Sequence, residues 1–201
     1  MDRFRVATYN IHKGVQGLGP ARRLEIHNLG HAVEQLDADI VCLQEVRGHH
    51  HKLKKRFVHW PEQGQADYLS PEGYEAIYRT NAFTRHGEHG NALLSRWPVL
   101  ATGHQDVSDH RFEQRGLLHA VVNVAERAVH VVVVHLGLIH ASRERQVQRL
   151  GQFIEREVPA GAPLIVAGDF NDWSARLLAP MADLDLRTFD GIRLPTYPSR
   201  L

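Results

Sequence analysis

Four short apolar runs in this chain each stop on a polar residue: Val6-Ala7-Thr8-Tyr9-Asn10, Ile40-Val41-Cys42-Leu43-Gln44-Glu45, Val131-Val132-Val133-Val134-His135 and Leu164-Ile165-Val166-Ala167-Gly168-Asp169. Each is short and rich in β-branched side chains, so each reads as a strand. Further strand-like segments cover residues 74–78, 92–94, 117–124 and 129–134. Two helices are expected between them. The first spans 22–36, with Ile26, Leu29, Val33 and Leu36 on one stripe. The second begins near Ser142 as N-cap and carries Val147, Leu150 and Ile154. The pair of runs joined through Ala125-Glu126-Arg127 predicts an antiparallel hairpin, which excludes a purely parallel sheet. An α/β protein with mixed sheets follows.

The 201 residues carry 24 Lys+Arg against 23 Asp+Glu, a net charge of +1, which gives no sign of an obligate polyanion binder. With 43% hydrophobic residues, no internal repeat and no low-complexity linker, a single domain over 1–201 is the expectation. Cys42, the one cysteine, sits in an apolar run and reads as a small buried side chain. No apolar stretch approaches the ~18 residues of a membrane span, and the amino terminus runs directly into a strand. The expected location is the cytoplasm.

Strands that deliver Asn10, Glu45, His135 and the pair Asp169 and Asn171 could bring together an amide, a metal-binding carboxylate, an imidazole and a base. Any one of these is also what a strand leaving the core would show. Continued extension through Asp169-Phe170-Asn171 would set the carboxylate and the amide on one face and turn Phe170 into packing. Gly168 would allow a ligand to approach the backbone. The same Gly-Asp-x-Asn-Asp string is also turn chemistry. After Glu45 comes a run from Arg47 to Arg56 with five Lys/Arg and three His, either a solvated helix face or a phosphate-holding surface. Arg79, His86, His89 and Asn91 form a weaker set of candidate loop residues, with His89-Gly90-Asn91 its best part.

Five ordered segments carry a resemblance: Thr8-Tyr9-Asn10-Ile11-His12, Asp39 through Val46, Gly90-Asn91-Ala92-Leu93-Leu94-Ser95-Arg96, Val134-His135-Leu136 and Ala167-Gly168-Asp169-Phe170-Asn171-Asp172. Together they resemble the motifs of the endonuclease/exonuclease/phosphatase superfamily. The resemblance implies a four-layer α/β sandwich, two mixed β-sheets face to face with outer helices. It also implies divalent-metal phosphoester hydrolysis with Mg²⁺, or alternatively Mn²⁺. Glu45 would be the carboxylate ligand, and Asn10 would contact the metal or the phosphate. Asp169 would orient and deprotonate the attacking water, Asn171 would donate to the phosphoryl oxygen, and His135 would contact the phosphate. The substrate would be a phosphoester: nucleic acid, a phospholipid headgroup or a small phosphate ester.

The superfamily closes with two further strands, one bearing Leu-Asp-x-Ile and the last Ser-Asp-His, whereas this chain ends Thr196-Tyr197-Pro198-Ser199-Arg200-Leu201. The triplet Ser108-Asp109-His110 comes too early to be that pair and reads as a structural loop. The expectation is therefore a family domain with its last strands missing, through truncation in preference to degeneration or completion by a partner chain. A sheet edge near residues 4–9 would then be open to pairing. The rival reading is a non-catalytic phosphate or nucleic-acid binding module with a degenerate site.

Overall fold

The computed structural model describes residues 4–188. Its first sheet is built on β1 (Val6–Asn10), which runs parallel to β4 (Ile40–Val46) with Val6 beside Ile40 and Asn10 beside Gln44. β6 (Gly87–Ser95) lies antiparallel on the far side of β4, and β5 (Glu75–Thr84) closes the order β1-β4-β6-β5. The second sheet repeats this plan. β10 (Leu164–Asp169) is parallel to β9 (Arg127–His135), followed by β8 (Gly116–Val124) and β7 (Val99–Asp106), both antiparallel to their neighbours. The sheets are mixed, as the hairpin implied.

β4 shows why this chain needs two layers of cover. Its residues alternate, so Ile40 and Cys42 face inward to meet Leu93, Leu118, Ala120, Val131 and Val133 between the sheets. Val41 and Leu43 face outward, under Ile26 and Val33 of α1 (Ile26–Leu36) and Ala66 and Leu69 of α3 (Gln65–Leu69). On the other side Leu117, Val132 and Val134 pack under Val147, Leu150 and Phe153 of α4 (His140–Glu157) and Met181 of α5 (Leu178–Ala182). The result is helix, sheet, sheet, helix. Each fully buried Leu, Ile or Val contributes about 1.5–3 kcal/mol of transfer free energy. Cys42 is fully buried in the inner layer, and burial pushes its thiol up to about 12.

Both helices differ from expectation at their starts. α1 begins at Ile26 because Arg23–Leu24 pairs as a short strand with Val15–Gln16, with Leu24 beside Val15. α4 begins at His140, and Ser142 is no cap there, since its hydroxyl donates to Asp109 Oδ2 at 2.7 Å. Asp37, in the left-handed conformation, ends α1 and is held by Arg5 and Arg96, each at 2.8 Å. β7 escaped the apolar-run reading because only its first three residues are apolar, and as an edge strand it has no buried residue. Among the described residues β1 and β10 are each paired on one side only, and they lie against one another. The segment 196–201 and any strand expected after it lie outside the described residues.

Candidate active site

Because β1 and β4 are parallel, as are β9 and β10, their carboxyl ends emerge together at the seam between the two sheets. Asn10 closes β1 with a small turn in which its Oδ1 accepts the N–H of His12 at 3.0 Å. That leaves its amide nitrogen to donate both to Glu45 Oε1 at 3.3 Å and to Asp169 Oδ2 at 3.0 Å. One amide thus joins carboxylates from different sheets.

Glu45 owes its position to a bulge. The register of β4 against β6 shifts between Leu43 and Val46, and Glu45 takes a φ of +56°. The extra residue re-aims its side chain out of the ladder, while the neighbouring Gln44 stays buried and bonds Thr8. The second oxygen of Glu45 meets the Lys13 ammonium at 2.8 Å. Burial opposes ionisation of Glu45, but Lys13, His135 once it is protonated at low pH and the Asn10 amide outweigh it and hold the carboxyl at about 2. It is an anion at neutral pH.

Asp169 is gripped from two sides, by Asn10 on Oδ2 and by the backbone N–H of Asn171 on Oδ1 at 3.0 Å. Continued extension is not what unites Asp169 and Asn171. β10 ends at Asp169, Asn171 adopts a φ of +49°, and the chain folds back as a turn capped by the carboxylate. Phe170 does pack into the outer core beneath α4. Gly168 is required for a reason other than ligand access: a Cβ there, at φ +151°, would lie 1.9 Å from the carbonyl oxygen of Val134. The Asn171 amide donates to the Leu136 carbonyl at 2.8 Å, leaving its second N–H for another acceptor. His135, at the end of β9, is buried, with Nε2 3.9 Å from Asp169 Oδ2. Burial and the nearby Arg115 push its imidazole down to about 4, so at neutral pH an uncharged ring faces the carboxylate.

All five predicted residues therefore fall in one connected cluster. Three others were missed. Lys13 is one, and Arg115 is the second: it is half-buried, pairs with Glu113 at 3.1 Å, and donates to the same Leu136 carbonyl that holds Asn171. Gln65 is the third. Its amide nitrogen donates to the carbonyl of Lys13 and its oxygen accepts the N–H of Arg47, each at 2.9 Å, so one buried side chain clamps the loop after β1 to the segment after Glu45. The signal was absent because Lys13 and Arg115 lie outside the longer strands and helices, where no period holds, and Gln65 opens a helix of five residues, too short to show one. His89 does belong near the site: burial, with Lys13 close by, pushes its ring down to about 4. Asn91 does not line a substrate loop but is buried, its amide bridging the carbonyls of Gly116 and Val133 across the sheets. In the basic run Arg47 is buried, Lys54 pairs with Glu62, and Arg56 binds the carbonyls of Gly19 and Pro20, so three of its cations serve the fold. Asp109 of the early triplet is tied to Arg145 at 2.6 Å as a loop anchor.

A family model described as Endonuclease/Exonuclease/phosphatase family matches residues 7–200. The chain belongs to that family. An uncharacterized family relative, YbhP of Escherichia coli (strain K12), is 40% identical over 181 residues, covering 89% of this chain and 70% of that protein. Among solved structures, sphingomyelinase C from Streptomyces griseocarneus is similar with a TM-score of 0.67 at 22% identity, covering 93% of this chain and 71% of that one. A family protein from Leptotrichia buccalis is similar with a TM-score of 0.66 at 16% identity, covering 90% and 73%.

Family membership raises the question of a divalent ion, and the donor chemistry fits one. Among the described residues no three His, Cys, Asp or Glu side chains form a ready cage. The Glu45 and Asp169 carboxylates instead offer a few hard oxygens, the sparse set suited to an ion that keeps most of its water, while Asn10 turns its nitrogen to them and its oxygen to the His12 N–H. A cation already sits on Glu45 in the form of the Lys13 ammonium. No helix among the described residues is long and apolar enough to cross a membrane.

Proposed function

We propose that this protein is a divalent-metal-dependent phosphoester hydrolase that works by attack of water on phosphorus. The observation that carries the reading is the single Asn10 amide donating to Glu45 and Asp169, 3.3 and 3.0 Å away, at the junction of two sheets. Glu45 would hold Mg²⁺ or Mn²⁺ together with Asn10, whose amide would have to turn its oxygen toward the ion. When bound, the ion supplies charge that polarises the phosphoryl oxygens. Asp169, oriented by two N–H donors, accepts the proton of the attacking water. The free N–H of Asn171 donates to the phosphoryl oxygen as negative charge builds there, and the neutral His135 ring contacts the phosphate. Lys13 and the half-buried Arg115, with buried Arg47 close to Glu45, give the surroundings positive charge suited to an anionic ester.

The substrate is a phosphodiester or phosphomonoester: nucleic acid, a phospholipid headgroup or a small ester. The likeness to a sphingomyelinase supports the phosphodiester class. Hydrolysis of bis(4-nitrophenyl) phosphate with Mg²⁺ or Mn²⁺ tests the reading. Asp169→Ala and Glu45→Ala are each expected to lower turnover by at least about a hundredfold, the usual contribution of a positioned proton acceptor. Equal rates in all three proteins, with and without metal, would instead indicate a binding module.

A further inference from the structure

Lys13 and Glu45 form an ion pair whose two ends both sit on unfavourable backbone. Lys13 has a φ of +64°, preceded by His12 at +46°, and Glu45 has a φ of +56°. Left-handed residues other than glycine cost on the order of 1 kcal/mol each and persist only where the surroundings hold them. Here the holding is done by Gln65, which bonds the Lys13 carbonyl, and by the tight seat of Gly14, where a Cβ would lie 2.3 Å from the Gln65 amide. The loop is thus fixed so as to present one ammonium to one carboxylate oxygen at 2.8 Å. Glu45 is largely covered, with 16% of its side chain exposed, whereas Lys13 is 33% exposed. The carboxylate is anchored and the ammonium has room to swing on its four-carbon stem.

We propose that Lys13 is the exchangeable counterion of this site: its ammonium neutralises Glu45 until a divalent cation takes that oxygen, and it then turns to the tetrahedral anion of the substrate. This rests on the phosphoesterase reading above. A monovalent ammonium and a hard dication compete for the same oxygen, so each weakens the other by the same factor. Once displaced, Lys13 would stand beside the ion with its charge unpaired, where an anion restores neutrality. Arg115 cannot replace it, because its guanidinium is already committed to Glu113 and Leu136.

Calorimetric titration of the intact chain with Mn²⁺ alone tests the first half. Lys13→Met is expected to bind Mn²⁺ about tenfold more tightly than wild type, an ordinary size for coupling between two sites. Lys13→Gly, which also relieves the positive φ and so is not exposed to backbone strain, is expected to show the same gain, and Lys13→Arg is expected to stay within about twofold of wild type. The second half is read with sulfate added to Mn²⁺-saturated protein: its affinity is expected to fall about tenfold in Lys13→Met and Lys13→Gly. Unchanged Mn²⁺ affinity in both variants overturns the proposal, and tighter Mn²⁺ with unchanged sulfate overturns the anion role. Glu45→Gln separates this from the underlying reading. If Glu45→Gln binds Mn²⁺ like wild type, or if wild type binds none, the metal assignment itself is overturned and the Lys13 proposal falls with it.

Discussion

Gly168 shows how a single absent methyl group holds a site together. Alanine there would press its Cβ against the Val134 carbonyl at 1.9 Å, a backbone atom with nowhere to go. Gly168→Ala is expected to destabilise the fold by about 3 kcal/mol or more, read as a lower urea midpoint, because the parallel pairing that delivers Asp169 must open. His89 makes a second residue-level prediction. Its ring titrates at about 4 in the folded chain against 6.5 for an unperturbed imidazole, with burial as the first cause and Lys13 next. The unfolded chain therefore binds a proton between those values that the folded chain refuses. Stability should be highest above pH 6.5 and decline as the pH falls toward 4, and His89→Gln should flatten that decline in urea titrations across the window. Asn10, Glu45, His135 and Asp169 were legible because each ends an apolar run. Asn171 meets Asp169 through the turn that the Gly-Asp-x-Asn-Asp string also offered, in place of continued extension. Lys13 and Arg115 could not be found, because only the folded chain shows which loop charge meets which strand end.

At the level of elements, the bulge in β4 decides which side chain reaches the site. Strict alternation would aim Glu45 to the opposite face from Gln44 within the ladder, and the register shift lifts it toward Asn10 instead. No sequence period announces a bulge, so the identity of Glu45 was readable and its direction was not. α3 is five residues long, yet it carries Gln65, whose amide satisfies two backbone groups on separate segments. Gln65→Leu would leave both buried and unpaired, at about 1–3 kcal/mol each. The expected outcome is a fall of about 2–6 kcal/mol in unfolding free energy, with Mn²⁺ affinity changed as well because Lys13 loses its tether. The spacing of Leu, Val and Ile predicted both long helices, while their first turns were set by tertiary partners: the β pairing of Arg23–Leu24 and the bond from Ser142 to Asp109.

For the molecule as a whole, the apolar runs and the hairpin pointed to an α/β protein with mixed sheets, the four-layer arrangement was what the family resemblance implied, and the residues that meet at the seam come from far apart in the chain. Asn10 and Asp169 are separated by 159 positions and still share a hydrogen bond. A ligand that bridges the seam binds the folded chain and not the unfolded one, so Mn²⁺ at about a hundred times its Kd should add about 2.7 kcal/mol of stability. In a thermal melt this is an upward shift of roughly 5–10 °C, lost on adding a chelator and missing in Glu45→Gln. The described chain completes its first four-stranded sheet by Ser95 and starts its second at Val99, with no strand exchanged between them. Nicking the polypeptide at Arg96–Pro98 would therefore yield two pieces, one holding Asn10 and Glu45, the other His135 and Asp169. Such halves are natural candidates for a complementation reporter, inert when separate and regaining their ion affinity only on reassociation.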